Sequence, residues 1–266
     1  MDRRICLVST AWNELRTEIL RWRDAGRTVE FWLRDDDAAR PHLALEQLFE
    51  LTGRWHVPVS IAVIPQLAEP ALFAGLPAEA DVLQHGSDHV NRAGEGQKKT
   101  EYPAEEPSAT ALRRLCEARD RLSELAGVRS IGVLAPPWNR VAPHLLAQLA
   151  AQGFRGLSRF GPRQARSPGG LLEINTHVDL IAWKSDRGFV GVEPALRQAI
   201  SHLAARRAGT NDPDEPTGWL SHHACHDAAT WNFLEELFGR LQSEAGVRWR
   251  SARELFTSAA PAPAGR

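Results

Sequence analysis

Four short stretches of this chain concentrate residues that bind metals, move protons or hold a developing charge. The first is Arg34-Asp35-Asp36-Asp37, where three adjacent carboxylates repel one another unless a cation or Arg34 relieves them. The plainer alternative is a solvated turn in which Asp37 caps the following helix. The second is His85-Gly86-Ser87-Asp88-His89. A separation of four puts both imidazoles on one face of a helical or turn-like segment. Two histidines and one carboxylate with an open position suit catalytic zinc or a similar divalent ion. The alternative is a pair of exposed loop histidines. The third is Pro136-Pro137-Trp138-Asn139-Arg140. Its stiff backbone would aim the Trp138 N–H at an oxyanion, with the indole as a pocket wall; otherwise it is a tight turn around a core tryptophan. The fourth is Leu220-Ser221-His222-His223-Ala224-Cys225-His226-Asp227. Strand alternation sets Leu220 and His222 on one face and His223 on the other. His222 is then the candidate general acid, His223 a structural residue and Asp227 a helix cap.

The elements that must position these residues alternate. Helices are expected over residues 10–24, 41–53, 108–125, 143–152, 194–207 and 228–244. Strands are expected over 29–33, 56–64, 81–84, 131–135, 156–158, 171–174, 219–221 and 247–249. Such alternation predicts parallel strands joined by helical crossovers, and the reactive stretches fall where strands end, the place that carries chemistry in α/β barrels. Residues 91–107 read as a polar, mobile loop beside the histidine pair, a possible lid. Residues 209–218 read as a second loop, and residues 259–266 as a frayed tail.

Length and composition set the frame: 266 residues, 43% of them hydrophobic, suit a single domain over residues 1–258 with a sizeable core. A net charge of −1 with no basic run gives nucleic-acid binding no support. No stretch approaches the roughly 20 apolar residues of a membrane span. Cys6, Cys116 and Cys225 show no paired spacing, which argues against a disulfide framework. With no secretory signal read at the N-terminus, a cytoplasmic protein is expected.

In this order, the four stretches resemble the motifs of the polysaccharide deacetylase superfamily, the NodB-homology fold of carbohydrate esterase family four. The resemblance runs from about Val29 to about Phe256 and implies an α/β fold, a distorted (β/α)7 barrel. It implies Asp35 as the base and Asp36, His85 and His89 as ligands of a divalent metal, most plausibly Zn²⁺. Trp138 and Asn139 would stand at the oxyanion, and His222 would be the acid, supported by Asp179. The expected reaction removes an acetyl group from a small or carrier-linked acetamido sugar. Two departures stand out: Gly86 replaces a Ser or Thr that braces the metal loop, and Ala135 replaces the arginine that orients the base. Asp37 stands where the family has glycine. These departures leave two other readings open. One is a cyclic amide or imide hydrolase of the same fold; the other is a catalytically decayed sugar-binding barrel that uses some of its nine tryptophans.

Overall fold

The computed structural model describes residues 3–257; the expected tail at 259–266 lies outside the described residues. In chain order the elements are α1 (Arg3–Asp24), β1 (Val29–Ala38), α2 (Leu43–Arg54), β2 (Val59–Val63), α3 (Pro70–Ala74), β3 (Asp81–Gln84), α4 (Ser108–Ala126), β4 (Ser130–Leu134), α5 (Leu146–Ala151), β5 (Gly156–Leu157), β6 (Leu172–Glu173), β7 (Val178–Asp179), α6 (Val192–Ala208), β8 (Thr217–Ser221), α7 (Ala228–Gln242), β9 (Val247–Trp249) and α8 (Ala252–Thr257). Most match the expected alternation. The two-residue β7 and the short helices α3 and α8 were not expected, being too short to show a period. No described helix is long and apolar enough to cross a membrane.

Every strand pair is parallel, in the order β6-β5-β4-β3-β2-β1-β8-β7, with β9 added to β1. The stretch from Leu172 to Leu180 closes the ring. On one side Leu172, Ile174 and Thr176 donate their N–H groups to Arg155, Leu157 and Arg159; on the other, His177 and Leu180 donate to Gly218 and Leu220. β6 and β7 therefore act as one bent strand, and β1–β5, this strand and β8 make a distorted seven-stranded α/β barrel. The bend presses against β8, where a Cβ on Gly218 would come within 2.6 Å of the Asn175 carbonyl oxygen and 2.4 Å of Trp32 Nε1.

β1 is the central strand, buried on both faces, as parallel strands covered by helices are. Its alternation sorts residues between two cores. Trp32 packs inside the barrel with Ala62, Leu83, Val133 and Leu172 from four other strands, closed below by Phe256 of α8. Phe31 and Leu33 face the outer layer, packing with Trp219 and with the apolar faces of α1, α2, α6 and α7. β1 extends beyond its expected end at Leu33: Arg34 and Asp35 still pair with Ser60 and Ile61 of β2 and with Leu220 and Ser221 of β8. The acidic stretch is therefore strand, and its side chains inherit the strand's alternation.

The 91–107 segment is not free along its whole length. Glu101, Tyr102 and Pro103 are buried, and only its outer part is exposed. The 209–218 loop is likewise anchored by buried Glu215, whose carboxylate accepts the N–H groups of Arg163 and Asn175 at 2.9 and 3.1 Å.

Candidate active site

Alternation from Trp32 puts Arg34 and then Asp36 on the inner face of β1. Arg34 is fully buried and grips Asp36 with both arms, Nε to Oδ1 at 2.8 Å and Nη2 to Oδ2 at 3.0 Å. Its other donors go to the Ser158 carbonyl and hydroxyl at 2.9 and 2.7 Å and to Asn139 Oδ1 at 2.9 Å. A fork of this kind holds a carboxylate in one plane. The clamp approaches Asp36 from two residues before it in the chain. Asn139, expected at the oxyanion, turns its side-chain oxygen to Arg34, beside Asp36.

The opposite parity takes Asp35 outward. It is fully buried, and its oxygens accept from Ser221 Oγ at 2.6 Å and pair with His223 Nδ1 at 2.5 Å. Ser221 and His223 have the same outward parity on and just after β8. Burial works to raise the Asp35 carboxyl, but the charge and hydrogen bond of His223 outweigh it and hold it below its ordinary value. Asp35, expected as the base, therefore points away from the barrel mouth, towards Ser221 and His223.

Asp36 is not the acid that meets the two histidines either. Asp37 is, because the β1–β2 register shifts between Asp35 and Ala38 and Asp37 takes the left-handed φ of 69°. The shift turns its side chain back over the mouth, where Oδ1 lies 3.1 Å from His85 Nε2 and 3.2 Å from His89 Nε2. The left-handed backbone here carries a carboxylate. Asp37, His89, Trp138 and Asn139 are four of the six non-glycine residues with positive φ among the described residues, and such strain gathers at functional sites.

A tautomer argument tests whether the triad fits a metal. His85 Nδ1 lies 2.9 Å from the Ala135 carbonyl oxygen. A carbonyl only accepts, so Nδ1 carries the hydrogen, and in the neutral ring it is the Nε2 lone pair that faces Asp37. Asp37 Oδ1 is buried with no hydrogen-bond donor. Lone pairs meeting at this range demand positive charge between them. Metal–ligand bonds of about 2.0–2.2 Å set ligand atoms roughly 3–3.5 Å apart, which is the spacing found. The electrostatics agree. Burial works to raise the Asp37 carboxyl, but the adjacent His85 and His89 outweigh it and hold it far below its ordinary value. Burial works to lower His85, and the carboxylates of Asp36 and Asp37 more than reverse that.

A second group of three donors, His177, His202 and Glu215, also gathers within 4.8 Å among the described residues. It does not fit a metal. The Gly218 N–H donates to His177 Nδ1 at 3.0 Å, which puts the ring's hydrogen on Nε2. The two rings also stack at 3.4 Å and 15°, so no point lies in both planes for the lone pairs to share.

His222 has the inward parity of Leu220 and packs edge-on to Trp183 at 4.7 Å. Trp183 Nε1 donates to Asp179 Oδ2 at 2.8 Å. Burial raises the Asp179 carboxyl and the neighbouring His222 opposes that rise, so the two side chains share one corner of the mouth. Trp138 covers the other corner, its ring 4.6 Å from that of His89. Asp227 accepts from the Thr230 N–H at the start of α7, the expected cap.

The sequence offers Arg34 as relief for the acids but not as the clamp on Asp36, and it does not offer Asp37 as the partner of the histidines. The Trp32-Arg34-Asp36 alternation was a readable signal for the first. The turn at Asp37 had none.

No protein-family model matches the chain, and no curated protein is similar to it in sequence. Solved structures do match. A polysaccharide deacetylase from Mycobacterium smegmatis, described as putative, aligns with a TM-score of 0.63 at 16% identity, over 87% of this chain and 90% of that one. A family 4 carbohydrate esterase from Streptomyces lividans, in complex with acetate, aligns at 0.52 and 16% identity, over 82% and 90%. A family 4 acetyl xylan esterase from Clostridium thermocellum, in complex with cobalt, aligns at 0.52 and 13% identity, over 86% and 91%. The chain has the fold of the polysaccharide deacetylases and family 4 carbohydrate esterases.

Proposed function

We propose that this protein is a divalent-metal-dependent deacetylase that hydrolyses the acetamido group of an N-acetylated sugar. The observation that carries the reading is the donorless Asp37 Oδ1 between two imidazole nitrogens, beside a clamped second carboxylate at the barrel mouth. Asp37, His85 and His89 would hold the ion, and one carboxylate with two histidines suits Zn²⁺. When bound, the ion supplies charge that polarises the acyl carbonyl and acidifies water.

The chain's own groups do the rest. Asp36, fixed by Arg34, takes the proton from the attacking water. The Trp138 N–H would receive the oxyanion, and its indole would shield the pocket. His222, packed against Trp183, protonates the leaving amine nitrogen. The products are acetate and an amino sugar. Cys116 and Cys225 are free thiols, which fits a reducing compartment and a small or carrier-linked substrate.

The test separates the two acids. Protein loaded with Zn²⁺ or Co²⁺ is assayed for metal stoichiometry and for acetate released from N-acetylglucosamine oligomers. Asp37→Asn should lose the metal and the activity together. Asp36→Asn should keep the metal and lose about 10²–10⁴-fold in kcat. Full activity in Asp37→Asn, or wild-type protein that binds no divalent ion, sinks the proposal; the latter result favours the cyclic amide reading.

A further inference from the structure

The turn bearing both metal-facing histidines is held by an acid from another loop. We propose that Glu101 is the positioning residue of this turn, setting the spacing of His85 and His89 for divalent-ion binding. The inference rests on the metal reading above.

Glu101 is fully buried, 14 residues along the chain from the turn. A single oxygen, Oε1, accepts the backbone N–H of Ser87 at 2.9 Å, the N–H of Asp88 at 3.1 Å and the Tyr102 hydroxyl at 2.9 Å. Two of the four peptide groups joining the histidines therefore end on one atom. Tyr102 closes the arrangement, its hydroxyl 2.7 Å from Ser87 Oγ. Arg92 grips the Asp88 carboxylate with both arms, at 2.8 and 2.6 Å, from the outer part of the same loop.

The second observation is at Gly86. Its φ is +62°, and a Cβ there would lie 2.1 Å from Glu101 Oε2 and 2.6 Å from Pro137 Cδ. The space that a side chain at residue 86 would take is filled by the Glu101 carboxylate and the Pro137 ring, so Gly86 is required for them to fit. A merely structural acid would tie down its own loop. This one spends its best acceptor on the turn between two ligands, and partners of that kind typically change metal affinity by about 10–100-fold when removed.

Two conservative variants separate position from charge. Glu101→Gln keeps an acceptor oxygen at the same reach and removes the charge. Glu101→Asp keeps the charge and withdraws the acceptor by one methylene. Zn²⁺ affinity of the stripped full-length protein is read by competition with a chromophoric chelator, and ligand geometry by the visible spectrum of the Co²⁺ form. Glu101→Asp should bind Zn²⁺ about 10–100-fold more weakly with an altered Co²⁺ spectrum, and Glu101→Gln should stay within about threefold of wild type. Folding of each variant is followed by circular dichroism. If Glu101→Asp binds as wild type does, or if Glu101→Gln loses as much as Glu101→Asp, the positioning role is wrong. Wild-type protein that binds no divalent ion would instead overturn the functional reading, and this inference with it.

Discussion

Arg34→Met is the sharpest probe of the barrel mouth. Arg34 is fully buried and makes five hydrogen bonds, two of them to Asp36. The substitution keeps an unbranched side chain and leaves the Asp36 carboxylate buried without its partner. Breaking a buried ion pair on one side costs about 3–5 kcal/mol. With an unfolding entropy of about 2.1 cal/mol/K per residue, 266 residues carry roughly 0.56 kcal/mol/K. The cost therefore appears as a fall in Tm of roughly 5–9 °C. Calorimetry of Arg34→Met, Asp36→Asn and the double variant then gives the coupling, because Asp36→Asn removes the charge that Arg34 neutralises. A coupling above about 1.5 kcal/mol is expected, since the double variant is spared the stranded carboxylate. In the same samples kcat should fall while metal stoichiometry holds, because Arg34 touches no member of the Asp37 triad. A coupling below about 0.5 kcal/mol, the ordinary error of additivity, would show that the fork does not hold Asp36.

Two further outcomes follow from the geometry. His222→Ala should lower kcat on an acetamido sugar by about 10²–10⁴-fold with metal content unchanged. It should lose far less on a nitrophenyl acetate, whose leaving group needs no proton; equal losses on both would remove His222 as the acid. The buried His177–His202 stack should make the fold acid-sensitive. Burial pushes His202 down to about 2, with His177 and Arg206 adding to it. As pH falls below about 6.5 the unfolded chain takes up a proton that the folded ring refuses, so stability is intact above that pH and is lost below it. The loss is about 1.4 kcal/mol per pH unit, or about 2 kcal/mol by pH 5. His202→Gln should remove that share of the slope in urea titrations run from pH 7.5 to 5, and an unchanged slope would show that His202 is charged in the fold.

Much of this molecule was legible from its residues because it depends on local periodicity. The alternation of apolar runs and amphipathic segments specified the parallel α/β fold. Strand parity alone separated His222 from His223, since it requires only that β8 continue through Leu220. The same parity, counted from Trp32, would have paired Arg34 with Asp36. The expectation that β1 stops at Leu33 concealed this, because a run of charge looks like a loop until a fully buried strand is seen to carry it. What the sequence could not decide was how distant pieces meet. The left-handed turn at Asp37 depends on the register shift against β2, and it exchanges which aspartate meets His85 and His89. The brace on their turn arrives from Glu101, in a segment that reads as a mobile loop until two backbone N–H groups and the space above Gly86 give its carboxylate a place. Local sequence determined which residues could do chemistry and which face of a strand each would take; only the closed barrel decided which of three adjacent aspartates faces the histidines, because that depends on strand register and close packing between segments far apart in the chain.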